Sequence, residues 1–163
     1  MNIPKIYLET SAINFFYADD SPEKQVETLL LFKEIKAGKW DAYTSYAVTK
    51  EIKAASKQTR KMLGRVIDKY NITILSANEK ITKLANIYIK EGVIPQKHLL
   101  DAIHIAAASY YEMDIIISWN FQHIVKHKTK LMTNEINLRE NYKTISISSP
   151  KEVIEYDAHK KRE

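Results

Sequence analysis

Residues 99–121 read LLDAIHIAAASYYEMDIIISWNF. The first part, 99–111, is apolar on nearly all sides at helical spacing, as in a helix buried on every face. Residues 114–118 (DIIIS) then give an unbroken apolar run between polar ends. A strand without polar alternation has both sheet faces covered, which is the habit of parallel sheets in α/β proteins. The stretch predicts a buried helix followed by an interior parallel strand.

The same alternation continues outward. Residues 5–9 (KIYLE), 40–45 (WDAYTS) and 72–75 read as three further strands. Ser21 caps a helix with Pro22 at its first position, and Gly38 stops it. Residues 47–70 hold one or two helices, with Val48, Ile52 and Ala55, then Met62, Leu63, Val66 and Ile67, at helical spacing. Ile81, Leu84, Ala85, Tyr88 and Ile89 trace an amphipathic helix. Residues 128–139 predict another helix, and Ile145 with Ile147 a last strand. The whole predicts an α/β fold: an open parallel sheet of about five strands with about seven helices on both faces. No repeat or linker interrupts the chain, so one domain is expected over 1–150. A C-terminal tail, 151–163, follows and is expected to fray from Ala158. In such sheets ligands bind at the carboxyl ends of the strands.

The chain has 163 residues, 45% hydrophobic and 28% charged, and no cysteine. Disorder, disulfide scaffolds, thiolate zinc sites and cysteine nucleophiles are thereby excluded. Three glycines form neither G-x-G-x-x-G nor a Walker-type loop, which argues against nucleotide-fuelled enzymes. Residues 1–10 lack the basic and apolar segments of a signal peptide. No apolar run approaches the ~18–20 residues of a membrane span. A soluble cytoplasmic protein without membrane association is expected. The net charge of +5 permits a polyanionic partner without proving one.

Four polar side chains fall where an α/β sheet places its chemistry. Glu9 closes the first strand, and Asn120 lies two residues past Ser118 at the end of 114–118. Asp101 stands in the first turns of the apolar helix, and Glu51 one turn into the helix after the second strand. Each has a simpler reading. Asp101 suits the helix dipole at ~0.3–1 kcal/mol, Glu51 an exposed helix face, Glu9 a strand end in water, and Asn120 a cap for a helix starting at Phe121. Yet a carboxylate beside so apolar a helix is costly unless it meets a cation or partner. Together the four predict an acidic cluster at one sheet edge, with oxygen-only ligands suited to Mg²⁺ or Mn²⁺.

These residues resemble the PIN-domain ribonucleases, particularly the small toxins of type II toxin–antitoxin modules. The resemblance rests on 7–12 (YLETSA), on Glu51 in 48–52 (VTKEI), on Asp101 in 101–107 (DAIHIAA), and on 118–121 (SWNF) with His123. It runs from about residue 5 to residue 147 and implies a PIN-like, Rossmann-like sheet. Two positions depart from the family pattern: Glu9 and Asn120 stand where aspartate is usual. Asparagine contributes no charge, so metal affinity should fall. The resemblance implies hydrolysis of RNA phosphodiester bonds, with Glu9 and Asp101 as direct metal ligands. Glu51 would ligate a metal or orient water, and Asn120 would hold a metal-bound water or ligate through its carbonyl. Ser11 would position Glu9, with Ser118 supporting. It also implies a cognate antitoxin and pairing into a homodimer. The run 29–32 (LLLF) offers the apolar surface for that pairing, unless the helix is buried on two sides within one chain.

His104, at i+3 from Asp101, and His123 suit either a general acid or a packed supporting histidine. Residues 50–69 carry seven basic and two acidic residues. Lys50, Lys53, Lys57, Arg60 and Lys61, with Arg65 and Lys69, form a possible phosphate-binding stripe or a solvated face. The run 126–130 (KHKTK) is a second candidate for backbone contact. Tyr110 and Tyr111 read as packing residues. Two alternatives accompany the ribonuclease: a catalytically weakened PIN domain that binds RNA or serves assembly, and a phospho-acceptor receiver. The receiver lacks its aspartate, because the strand 72–75 ends in Ser76.

Overall fold

A computed structural model describes residues 2–154. Five strands, β1 (Lys5–Leu8), β2 (Asp41–Ser45), β3 (Thr73–Leu75), β4 (Ile115–Ile117) and β5 (Ser146–Ser148), form one sheet in the order β3-β2-β1-β4-β5. Every pairing is parallel. The expected open α/β sheet is the one observed. β3 lies at the edge, unlike the order in which receiver domains arrange their strands.

Seven α-helices between β1 and β5 cover the two faces: α1 (Thr10–Asn14), α2 (Pro22–Lys36), α3 (Tyr46–Lys53), α4 (Lys57–Lys69), α5 (Glu79–Lys90), α6 (Leu99–Tyr110) and α7 (His127–Arg139). Strand side chains alternate between faces, so Ile6 and Leu8 enter one core and Tyr7 the other. The first core takes Ile13, Leu31, Phe32 and Val66 from α1, α2 and α4. The second takes Ile81, Leu84, Tyr88, Ile105 and Ile136 from α5, α6 and α7. Within α6, residues 102–109 are all buried, as the apolar reading required.

Several boundaries differ from expectation, each for a local reason. Trp40 leaves the second strand, and its indole donates to Glu34 instead. Residues 54–56 separate α3 from α4, and the Ser56 hydroxyl caps α4 by accepting from the Thr59 N–H at 3.2 Å. Ser21 sits before α2 without a side-chain capping bond; Pro22 alone supplies the start. Gly38, at φ +82, ends that helix as expected. No helix begins at Phe121: residues 121–126 are turns and bends, and α7 starts at His127. Helix α1 and the 3-10 turns Phe15–Tyr17 and Gln96–His98 were not expected. At three to five residues they are too short to show a period. Residues 150–154 are helical, and Val153 is buried against the first core. The fraying expected from Ala158 lies outside the described residues.

The chain steps from β1 outward to β2 and β3, then crosses back to place β4 on the other side of β1. The strand order therefore reverses between β1 and β4, and their carboxyl ends flank a ready cleft. In the run 29–32, Leu31 and Phe32 are buried, whereas Leu29 and Leu30 remain 40% and 44% exposed. Among the described residues, no helix is long and apolar enough to cross a membrane.

Candidate active site

Glu9 follows β1 directly and is 4% exposed. It caps α1, accepting the Ser11 N–H at 3.1 Å. Its Oε1 also accepts the Ser11 hydroxyl at 2.6 Å and the Ser118 hydroxyl. Each serine oxygen in turn accepts a backbone N–H: Ser11 from Trp119 across the reversal point at 2.8 Å, and Ser118 from Asn120 within its own loop at 2.9 Å. The ends of β1 and β4 thus lock one carboxylate between two hydroxyls. Ser11 and Ser118 both donate hydroxyl hydrogens to Glu9.

Glu51 projects from α3 with its side chain 28% exposed. Its Oε1 lies 2.7 Å from His104 Nε2. His104 is fully buried, with Nδ1 2.7 Å from the Tyr7 hydroxyl, which itself lies 2.6 Å from Ser45 Oγ. Thr10 Oγ1 is 3.1 Å from Nε2. Burial pushes the Tyr7 phenol far above its ordinary range, so it keeps its proton. The retained Tyr7 proton is placed to be donated to Nδ1, which assigns the ring hydrogen to Nε2 facing Glu51 Oε1, while Ser45 donates to the phenol oxygen. Of the two readings of His104, the packed supporting residue is the one present. Its partner is Glu51, not Asp101.

Asp101 stands in the first turn of α6, 17% exposed in its side chain. Its Oδ2 accepts from the Asn120 amide at 3.3 Å and lies 3.2 Å from His123 Nδ1 and 4.0 Å from His98 Nδ1. Asn120 Oδ1 accepts the His123 N–H at 2.9 Å. A carbonyl oxygen can accept twice, so this bond leaves the expected contact with a metal or its water open. That oxygen is engaged by backbone, because the neighbouring Asp101 charge draws the amide hydrogens toward itself.

Glu9, Glu51, Asp101 and Asn120 all line one open cleft of about 420 Å³, together with Ser11, His98 and His123. Among the described residues, none of the three carboxylates is paired with a lysine or arginine. Three such acids on one cleft fit a divalent cation, whose charge would offset their partial burial and mutual repulsion. The expected single cluster of oxygen ligands is, however, divided. Donor atoms of Glu9, Glu51 and His104 lie within 4.8 Å of one another, and those of His98, Asp101 and His123 form a separate group on the same criterion. Each group contains imidazole. His98 was not singled out in the sequence, although its i−3 spacing from Asp101 at a helix start is a signal of proximity.

No protein-family model matches the chain, and no curated protein matches it in sequence. Solved structures do match. VapBC2 from Rickettsia felis, crystallised bound to a DNA fragment from its promoter, superposes over 89% of this chain and 98% of that chain, with a TM-score of 0.52 and 15% identity. The fold is PIN-like. At 15% identity the likeness lies in the architecture, and in this PIN-like sheet Glu9, Glu51, Asp101 and Asn120 meet at one cleft.

Lys50 and Lys53 lie on α3, and Lys57, Arg60, Lys61, Arg65 and Lys69 on α4; all seven are exposed. Residues 57, 61, 65 and 69 recur at i+4, so they share a face of α4. Tyr110 and Tyr111 pack edge to face at 4.9 Å, in keeping with a structural role.

Proposed function

We propose that the chain is a Mg²⁺- or Mn²⁺-dependent endoribonuclease of the PIN type, a toxin restrained by a cognate antitoxin. The carrying observation is the convergence of Glu9, Glu51 and Asp101, none paired with a lysine or arginine among the described residues, on one open cleft at the sheet's reversal point. When bound there, a divalent cation supplies water activation and charge neutralisation for phosphodiester hydrolysis. Glu9, fixed by Ser11 and Ser118, and Asp101 would hold it. Glu51, backed by His104, would bind the cation or accept a proton from the attacking water. Asn120 orients Asp101 through its amide. The exposed cations of α3 and α4 would hold the RNA backbone outside the cleft. The likeness to VapBC2 supports an antitoxin partner, and Val26, Leu29 and Leu30, all exposed on α2, offer an apolar face for it or for a second copy of the chain.

A second reading, a weakened PIN-like module that binds RNA without cutting it, is favoured by one observation. Asn120 presents an amide donor to Asp101 and adds no fourth charge. Cleavage of a mixed RNA substrate with Mg²⁺, with Mn²⁺ and with EDTA separates the two, using Asp101→Asn purified in parallel. The nuclease reading expects EDTA to abolish cleavage and Asp101→Asn to lower it ~10³-fold without unfolding. RNA binding with no metal-dependent cleavage would establish the second reading instead.

A further inference from the structure

We propose that His98, Asp101 and His123 form a binding site for a transition-metal ion of the Zn²⁺ class. Neither imidazole has a ligand role in the nuclease reading above. The site shares Asp101 with that reading but is detected without RNA.

The three side chains come from two rigid supports. His98 ends the turn Gln96–His98 and leads into α6, and Asp101 lies one helical turn further on. His123 is fixed in the bend after β4 by its N–H to Asn120 Oδ1 at 2.9 Å and its carbonyl to the Thr129 hydroxyl at 2.7 Å. The two imidazole rings stack with centroids 4.0 Å apart, tilted by 40°. Both present nitrogens to the same carboxylate oxygen, at 3.2 and 4.0 Å. All three donor atoms fall within 4.8 Å of one another. A tetrahedral ion with bonds of ~2.0–2.2 Å holds its ligand atoms about 3.4 Å apart. Asp101 and His123 already stand near that separation, and small side-chain rotations of the 36%-exposed His98 complete the set.

The donor chemistry selects the ion. Two imidazoles and one carboxylate suit Zn²⁺, Co²⁺ and their neighbours, whereas Mg²⁺ prefers oxygen alone and keeps its water. Three protein ligands leave a fourth position open to the cleft. The Asn120 amide, bonded to the same Asp101 Oδ2, orients that carboxylate, as outer partners of metal ligands commonly do.

The test is a Co²⁺ titration of the full chain followed by visible absorption, with Zn²⁺ displacement and calorimetry. One Co²⁺ per chain should bind at this site with imidazole-type ligand-field bands, be displaced by Zn²⁺, and resist millimolar Mg²⁺. His98→Ala and His123→Gln should each weaken Zn²⁺ binding by about 100-fold or more, with circular dichroism unchanged. The exposed position of His98 makes its variant safe to fold. Unaltered Zn²⁺ affinity in both variants, or displacement of Co²⁺ by equimolar Mg²⁺, overturns the site. Loss of RNA cleavage alone, with Co²⁺ binding intact, bears only on the nuclease reading.

Discussion

His104 joins Glu51 to Tyr7: one ring nitrogen lies 2.7 Å from Glu51 Oε1 and the other 2.7 Å from the Tyr7 hydroxyl. The central strand thereby fixes a carboxylate that sits on a helix of the sheet's flank. Truncation to His104→Ala takes away Glu51's partner and leaves the fully buried Tyr7 hydroxyl with Ser45 alone. It should cost about 1–3 kcal/mol, a Tm loss of ~2–12 °C at this chain length. If Glu51 serves hydrolysis, RNA cleavage should fall with it. His104→Gln, which can still donate to Glu51, should recover part of both. A Tm within 1 °C of the parent for His104→Ala would show that the relay carries no stability.

Replacing Asn120 by aspartate puts a carboxylate oxygen where the amide now stands, 3.3 Å from Asp101 Oδ2. The two like charges repel and favour a shared proton. Without metal, Asn120→Asp should be about 1–2 kcal/mol less stable than the parent at pH 7, since one pKa unit corresponds to ~1.4 kcal/mol. The deficit should shrink as pH falls, because protonation removes the repulsion. Saturating Mn²⁺ should reverse the order, leaving the variant with the tighter binding. Thermal melts with and without Mn²⁺ decide this.

Burial raises the phenols of both Tyr7 and Tyr88 above the ordinary tyrosine range. A group whose folded pKa is raised contributes stability below its unfolded pKa and loses it as pH climbs toward the folded one. Stability should therefore hold up to about pH 10 and then fall by up to ~1.4 kcal/mol per pH unit for each such tyrosine. Absorbance at alkaline pH should show two of the ten tyrosines ionising only on unfolding. Tyr88→Phe should flatten the decline.

The α4 cations give a salt-dependence test. In a Lys57→Gln, Lys61→Gln, Arg65→Gln triple variant, the slope of log affinity against log salt for a non-cleavable single-stranded RNA should flatten by about 2. Fluorescence anisotropy across a salt series measures it. An unchanged slope would move the RNA track to another surface, with Lys126, Lys128 and Lys130 as the next candidates.

The sequence displayed those features that leave a local trace. The apolar run 115–117 announced a covered strand, and the apolar surroundings of Asp101 announced an acid with partners, here Asn120 and His123. What escaped depends on partners distant in the chain. The Glu51–His104 contact spans 53 residues, and no periodicity links a helix acid to a histidine on another helix. The direction in which the Asn120 amide faces is set by Asp101 and the His123 N–H, contacts that no local pattern displays. His98 was hidden in a three-residue 3-10 turn, too short for any repeat. Helix α1 was invisible for the same reason, although Glu9, its cap, was conspicuous.

The sheet order also governs when the cleft can exist. The bond from Ser118 to Glu9 closes a loop of 109 residues, and β1 must wait for β4 before its carboxyl end has a neighbour on that side. Contacts of such long range form late in folding. During synthesis at ~5–20 residues per second, roughly 5–20 s separate the two halves of the site. On the proposed reading, Glu9 spends that interval without its Ser118 partner. On that reading, the cleft that would cut RNA is assembled from the two ends of this long loop at once, and no earlier part of the chain can form it alone.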